Sequence, residues 1–539
     1  MTQSTKKCLP TPQKGFAGLK ENWKADIVSG FMVFLLALPL SLGIAKASGF
    51  PAAMGVLTAI VGGFLSIFFS VSELTVKGPA AGLITICSAA ILEFGGGDQG
   101  WRVAAAAIMA AAIVQILLAG FKLGDLSDFF PHSAVHGMLA AIGIIIIAKQ
   151  IPVLLGDDPA IYKGEGPIEM LMDIPKFVTH AHWHIAVVGL IGLAVMFGLP
   201  KLGVKALKKI PAPMAVLSLT IPLSIYWHFR ETEPNYSLVT IGDFWGSLGL
   251  NFDFSQIRQP TFWKYVFMFV FIGSLESLLT VKAIDSLDPY RRTSNYNNDL
   301  SAVGAGNLIA AMLGGIPMIS EVVRSSANVG FGGKTKWSNF FHGLFLLMAM
   351  IFLIPAIELI PNAALAAMLI YAGYRLAAPR EFIHTFHIGT EQLAIFLTTI
   401  VVTLAEDLLL GVAAGILVKF FFHIYHGAPW RSLFKAKYAK IENENAVIVK
   451  IAESAIFSNL IGFKKVLMAL APSDKKIVID FSDTHLIDHS FMTFITHYQK
   501  EYNAGNGRLE ITGLQNHKPL SKHELASKKL VKNRRKTAQ

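Results

Sequence analysis

Charge is scarce in this 539-residue chain, in which only 15% of residues are Asp, Glu, Lys or Arg, against about 25% in a typical soluble domain. That shortage, set beside 53% hydrophobic residues, excludes an ordinary soluble fold. Cysteine is almost missing too. Cys8 sits in a basic N-terminal stretch and Cys87 in an apolar one, so no disulfide framework and no cysteine-ligated metal is expected. No phosphate-cradling glycine loop and no convincing nucleophile–base arrangement occurs, which disfavours ATP-driven transport and catalysis and leaves no cofactor to expect beyond Na+ or H+ as a coupling ion. The apolar run from Ile27 to Ala45 has no clean cleavage site, so it reads as a retained first helix rather than a signal peptide.

What the chain does contain is a long series of apolar segments. Candidate spans run over 26–46, 52–71, 78–93, 101–120, 133–150, 183–199 and 212–229, then 261–286, 299–313, 317–330, 336–355, 362–378, 392–406 and 408–425. The fold class expected is mainly α and polytopic, with about 14 membrane segments. The net charge of +11 collects in the tails and short loops, which is positive-inside patterning rather than a nucleic-acid surface. Both termini are therefore expected in the cytoplasm, on a multi-pass protein of the cell membrane. Residues 1–25 form a cytoplasmic N-terminal segment and 26–426 a membrane domain. Over 440–514, AVIVKIAES and KKIVIDF read as strands and FMTFITHYQKEY as an amphipathic helix, a small α/β domain. Residues 515–539 are polar, basic and without period, and are expected to be disordered.

Two short segments are punctuated alike. TVKGPAAGLITI opens the third span of the first seven, and GGIPMISEVVRSSANVG opens the third span of the second seven. Paired broken helices at matching places point to a 7+7 inverted repeat around a midplane site. A helix start exposes unpaired N–H groups and carries about half a positive charge, so two facing starts suit an anion. Gly78, Pro79, Ala80, Ala81 and Gly82 fit one side; Gly314, Gly315, Pro317 and Ser320 fit the other, with Ser320 adding a hydroxyl. A kink packed by small residues is the alternative for either motif alone.

Ionisable residues inside spans cost about 2.5–3.5 kcal/mol each at a helix centre, and so are functional candidates. Glu276 is the first, able to hold a proton or, if ionised, a sodium ion. Lys282 and Asp285 read as a snorkelling pair near the helix end. Glu321 and Arg324 share a helix face. Either they form an internal salt bridge, or Arg324 backs an anion site while Glu321 limits its charge or joins Glu276 around a cation. Lys77 reads as an interfacial anchor, with an anion guide as the alternative. His132 and His136 have no third ligand in view and read as a helix start.

The stretches VSELTVKGPAAGLITI, SLESLLTVKAIDSLDP and GGIPMISEVVRSSANVGFGGKT resemble the sulfate permease (SulP) family of anion transporters, and KKIVIDFSDTHLIDHSFM resembles a STAS domain. The resemblance implies an anion held between spans three and ten, on Gly78 to Gly82, Ile319, Ser320 and the neighbouring backbone, with Arg324 as the basic residue. It places the span-eight acid at or near Glu276. It further implies a homodimer in the lipid bilayer, with the STAS-like domain open to a cytosolic protein partner. Glu321 departs from the small or polar residue usual there, which makes bicarbonate as plausible a cargo as sulfate. Ser490 matches a phosphorylated position of soluble STAS proteins and is a regulatory candidate, helix capping being the alternative. The function expected is secondary active transport of a small inorganic anion coupled to Na+ or H+. A nucleobase permease of similar fold and a membrane-anchored STAS signalling protein are the competing readings.

Overall fold

The computed structural model describes residues 11–69, 71–122, 131–158, 161–162, 165–202, 211–232, 237–242, 244–246, 248–290, 292–406, 408–443, 446–470, 476–504 and 507–531. Lys6, Lys7, Cys8 and the end of the basic tail lie outside them. Among the described residues, six helices are long and apolar enough to cross a membrane, and five shorter apolar helices accompany them. The fold divides into two compact units, residues 1–124 with 142–376, and residues 125–141 with 377–539.

The first unit opens with α1 (Gly15–Ala47) and α2 (Ala52–Leu65), so α1 starts well before the expected 26. Strand β1 (Lys77–Pro79), α3 (Ile84–Glu93) and α4 (Gly97–Gly120) follow. Helix α5 (His132–Leu155) is shared between the units, and α6 (Trp183–Gly198) and α7 (Ala212–Tyr226) return to the first. The second half of that unit repeats the punctuation: α8 (Pro260–Leu287), α9 (Tyr296–Met312), β2 (Met318–Ser320), α10 (Val322–Gly330), α11 (Trp337–Phe352) and α12 (Asn362–Leu376). The segments expected to be broken helices thus start as strands. A residue preceding proline is pushed toward extended backbone, and Gly78–Pro79 and Ile316–Pro317 meet that condition. The extended pieces pair antiparallel, with Lys77 opposite Ser320, Gly78 opposite Ile319 and Pro79 opposite Met318.

The second unit holds α13 (Pro379–Ile388), α14 (Thr390–Ala405) and α15 (Leu408–Tyr425), followed by the small domain. That domain comprises β3 (Tyr438–Glu442), β4 (Ala446–Ala455), α16 (Leu460–Met468), β5 (Lys476–Ile487), α17 (His489–Ala504), β6 (Leu509–Thr512), β7 (His517–Pro519) and β8 (Lys528–Leu530). The sheet runs β3-β4-β5-β8-β7, with β6 also on β5. Alternate residues Val447, Val449 and Ile451, and Ile477, Ile479 and Phe481, turn inward onto Phe463, Phe491 and Ile495, as a period of two requires. The tail corrects an expectation. Residues 517–530 are not disordered but supply β7 and β8, and β8 pairs with Leu486 and Ile487 of β5. Three-residue strands are too short to show an alternation in sequence, and their order comes from the sheet they join.

Candidate functional site

The two short strands cross in the interior of the first unit, and every residue of the ribbon is buried. The outer edge of β2 is closed by side chains of α8 and α9. The Met318 N–H donates to Asn307 Oδ1 at 2.6 Å, Asn307 Nδ2 donates to the Met318 carbonyl at 3.1 Å, and the Ser320 N–H donates to Ser277 Oγ at 3.1 Å. Backbone bonds extend the ribbon at both ends, from the Ala80 N–H to the Pro317 carbonyl and from the Glu321 N–H to the Val76 carbonyl. Because the pair is antiparallel, α3 leaves from one end of the ribbon and α10 from the other. Both positive helix ends therefore adjoin one short, rigid crossing.

Lys77 is no interfacial anchor. It is buried, and its Nζ donates to Asp299 Oδ1 at 2.6 Å, Thr75 Oγ1 at 2.8 Å and Ser320 Oγ at 2.8 Å. Ser320 in turn donates to Asp299 Oδ2 at 2.9 Å. The hydroxyl expected to face an anion is thus engaged in a neutral ion-pair network, because a buried ammonium needs a counter-charge and satisfied donors. Sequence reading missed Asp299, although an acid on a helix of small residues is a detectable signal. Ser72 also donates its N–H to Asp299, at 3.2 Å. It lines a cleft of about 110 Å³ with Lys14, Glu73, Asp285, Asp288 and Arg292. Lys282 and Asp285 engage other groups: Asp285 accepts from the Ser294 N–H and Oγ, and Lys282 stands over the Tyr296 ring.

Glu321 and Arg324 are brought together, but not as a side-chain salt bridge. The Glu321 carboxylate accepts the backbone N–H of Arg324 at 2.7 Å and caps α10, while the guanidinium turns toward β1. A Cβ added to Gly78 would sit 2.2 Å from Arg324 Nη1. Arg324 is fully buried, and none of its three side-chain nitrogens has a hydrogen-bond partner among the described residues. On the α3 side, a Cβ at Gly82 would sit 1.9 Å from Glu276 Oε1. Gly78 and Gly82 are required for these close approaches of charge to backbone. Glu276 Oε2 also has no hydrogen-bond partner, and Glu276 lies within electrostatic reach of Glu321. Each helix start is therefore faced by a carboxylate, and one guanidinium stands at the crossing.

This geometry sits within a matched family. A model of the sulfate permease family covers residues 23–399. The chain belongs to the sulfate permease family. Its members are transporters, and the chain is accordingly not an enzyme. The bicarbonate transporter BicA of Picosynechococcus is 25% identical over 74% of this chain and 69% of its own length. The chloroplastic sulfate transporter 4.1 of Arabidopsis thaliana is 23% identical over 91% of this chain and 75% of its own. Among solved structures, SLC26A9 superposes with a TM-score of 0.67 at 15% identity, covering 92% of this chain and 85% of that one. The transmembrane domain of a cyanobacterial BicA does so with 0.62 at 22% identity, covering 73% and 97%. The mainly helical family fold with a small C-terminal sheet domain follows from these likenesses.

In the second unit, Ser490 is buried in the first turn of α17, and the cap of that helix is Asp488, whose Oδ1 accepts the Phe491 N–H at 2.8 Å. Asp488 Oδ2 lies 3.4 Å from both Lys419 Nζ and His423 Nε2 of α15, all three side chains being buried. Burial works against this carboxylate, but Lys419, His423 and the Phe491 N–H together hold its pKa below the usual range. Lys419 and His423 stand one turn apart on an apolar span, a signal the sequence offered. His132 does begin α5, and His136 Nδ1 lies 3.5 Å from Glu381.

Proposed function

We propose that this protein is a secondary active transporter of a small inorganic anion of the sulfate or bicarbonate class, coupled to Na+ or H+ and working by alternating access around the β1–β2 crossing. The observation that carries the reading is the buried Arg324 guanidinium, set against Gly78 and unpaired by any described carboxylate. A guanidinium keeps its charge in proteins and requires acceptors, and a small anion supplies them. Gly78 to Gly82, Ile319 and Arg324 form the anion site, with Ser320 acting through its bond to Lys77. Lys77 and Asp299 cancel, so Arg324, Glu276 and Glu321 decide the local charge. An anion beside Arg324 adds negative charge next to two carboxylates, and a proton or Na+ at Glu276 and Glu321 offsets it. Linkage then makes each ligand strengthen the other's binding.

The reading extends to a 7+7 inverted repeat of fourteen spans in the cell membrane, with cytoplasmic termini, a homodimeric assembly and a STAS-type cytosolic domain open to a protein partner. The test is uptake into liposomes of sulfate, bicarbonate and chloride, with and without Na+ and pH gradients. Anion flux accelerated by one cation gradient is the expected result; no flux under any gradient removes the reading.

A further inference from the structure

Arg324 is not the only buried cationic or donor group in the first unit without a partner. His342 on α11 is fully buried, and its ring nitrogens make no hydrogen bond of ordinary geometry among the described residues, the Asn339 carbonyl one turn earlier being an acceptor that acts on the ring. One turn earlier on the same helix, the buried Asn339 also has an unpartnered Oδ1. Buried polar side chains are normally hydrogen-bonded, so a concentration of exceptions marks a place where a ligand or water belongs.

Chain crossings bring the two basic side chains into one neighbourhood. The Cβ position at Gly78 that touches Arg324 lies 3.7 Å from Ala59 Cβ on α2. One turn along α2, a Cβ at Gly63 would lie 2.7 Å from Gly343 Cα and 2.9 Å from the Asn339 carbonyl oxygen. α2 thus contacts β1 beside Arg324 and α11 beside His342. Helix α1 links them independently. Ser29 Oγ donates to Asn328 Oδ1 at 2.7 Å, and Asn328 is one turn from Arg324 on the same face of α10. The next residue, Gly30, packs against the His342 backbone, a Cβ there lying 3.0 Å from its N. The Arg324 charge also acts on the His342 ring. Glu321 accepts the Arg324 N–H and Asp299 holds Lys77.

Resting on the anion-transport reading, we propose that Arg324 and His342 form one buried subsite for a small oxyanion, in which His342 donates a second hydrogen bond that favours oxyanions over halides. The planar guanidinium fork binds two oxygens at once, and an imidazole N–H takes another. A halide satisfies the charge but presents no separate oxygens for the second donor.

The test uses the full chain, with sulfate, bicarbonate and chloride as probes. Half-saturating concentrations are read from liposome flux, and anion-induced rises in Tm from detergent solution. His342→Leu is expected to lower the oxyanion-to-chloride affinity ratio at least tenfold, and His342→Gln, which keeps an N–H, to return it to within threefold. His342→Met, of similar reach without a donor, replaces Leu if that variant does not fold. An unchanged ratio, or an equal loss for all three anions, overturns the subsite. If the wild type shows no flux yet an oxyanion-induced Tm rise that His342→Leu removes, transport falls and the subsite stands. Absence of both flux and Tm rise overturns both.

Discussion

Glu276 and Lys77 show how a buried charge acquires a role from its neighbours. Both stand out in the sequence as ionisable groups at or near spans, yet Lys77 meets Asp299 at 2.6 Å and is neutralised, whereas Glu276 faces Gly82 with one oxygen unpartnered. Only the second can exchange a cation without breaking a built ion pair. Glu276→Gln keeps the shape and removes the titrating group. It is expected to abolish the cation dependence of anion flux while leaving stability within about 1 kcal/mol of the wild type, a typical bound for a near-isosteric change. Flux ratios with and without Na+ and pH gradients check it, and unchanged dependence removes Glu276 from the coupling.

The β1–β2 ribbon is the element on which the site is built. Its three residue pairs hold the starts of α3 and α10 at either end, and the outer edge of β2 is tied to Asn307 and Ser277. Such closure makes the crossing intolerant of added volume. Gly82→Ala would drive a methyl group into the Glu276 carboxylate, since the Cβ position is 1.9 Å from Oε1. Overpacking of this kind costs about 1–3 kcal/mol. A stability loss of that size, read as a lower Tm, and reduced anion flux are expected together; a variant with wild-type flux and Tm would show that the carboxylate moves freely away from the backbone.

Across the second unit, the buried Asp488 joins the start of α17 to Lys419 and His423 of α15. Removing one partner of a buried pair strands the other, at a cost of about 3–5 kcal/mol. Asp488→Asn is therefore expected to lower thermal stability by that order. The sign of the pH dependence follows from the depressed pKa of Asp488. Its stabilisation is complete well above the unfolded carboxylate value of about 3.9 and is lost progressively as pH falls from there through the lower folded value. The Tm deficit of the variant attributable to this carboxylate should stay constant from pH 5 to 8 and shrink in stronger acid. A deficit that grows toward low pH contradicts the pairing.

The helical membrane body, the small α/β domain and the candidates Gly78, Gly82, Glu276 and Arg324 were legible because hydropathy, glycine–proline punctuation and intramembrane charge are local signals. The partners were not. Asp299 lies 222 residues from Lys77 and Asp488 lies far from Lys419 along the chain, and no local pattern says which charge a distant helix will deliver. The same holds for β7 and β8, whose short polar runs gain order only from the edge of an existing sheet. Amino-acid order decided which residues would be apolar enough to enter the bilayer and where the chain would break, since each depends on a few neighbouring residues. Folding in three dimensions decided which of the buried charges are cancelled and which stay available, because that depends on the counter-charge each one meets after the chain has crossed itself.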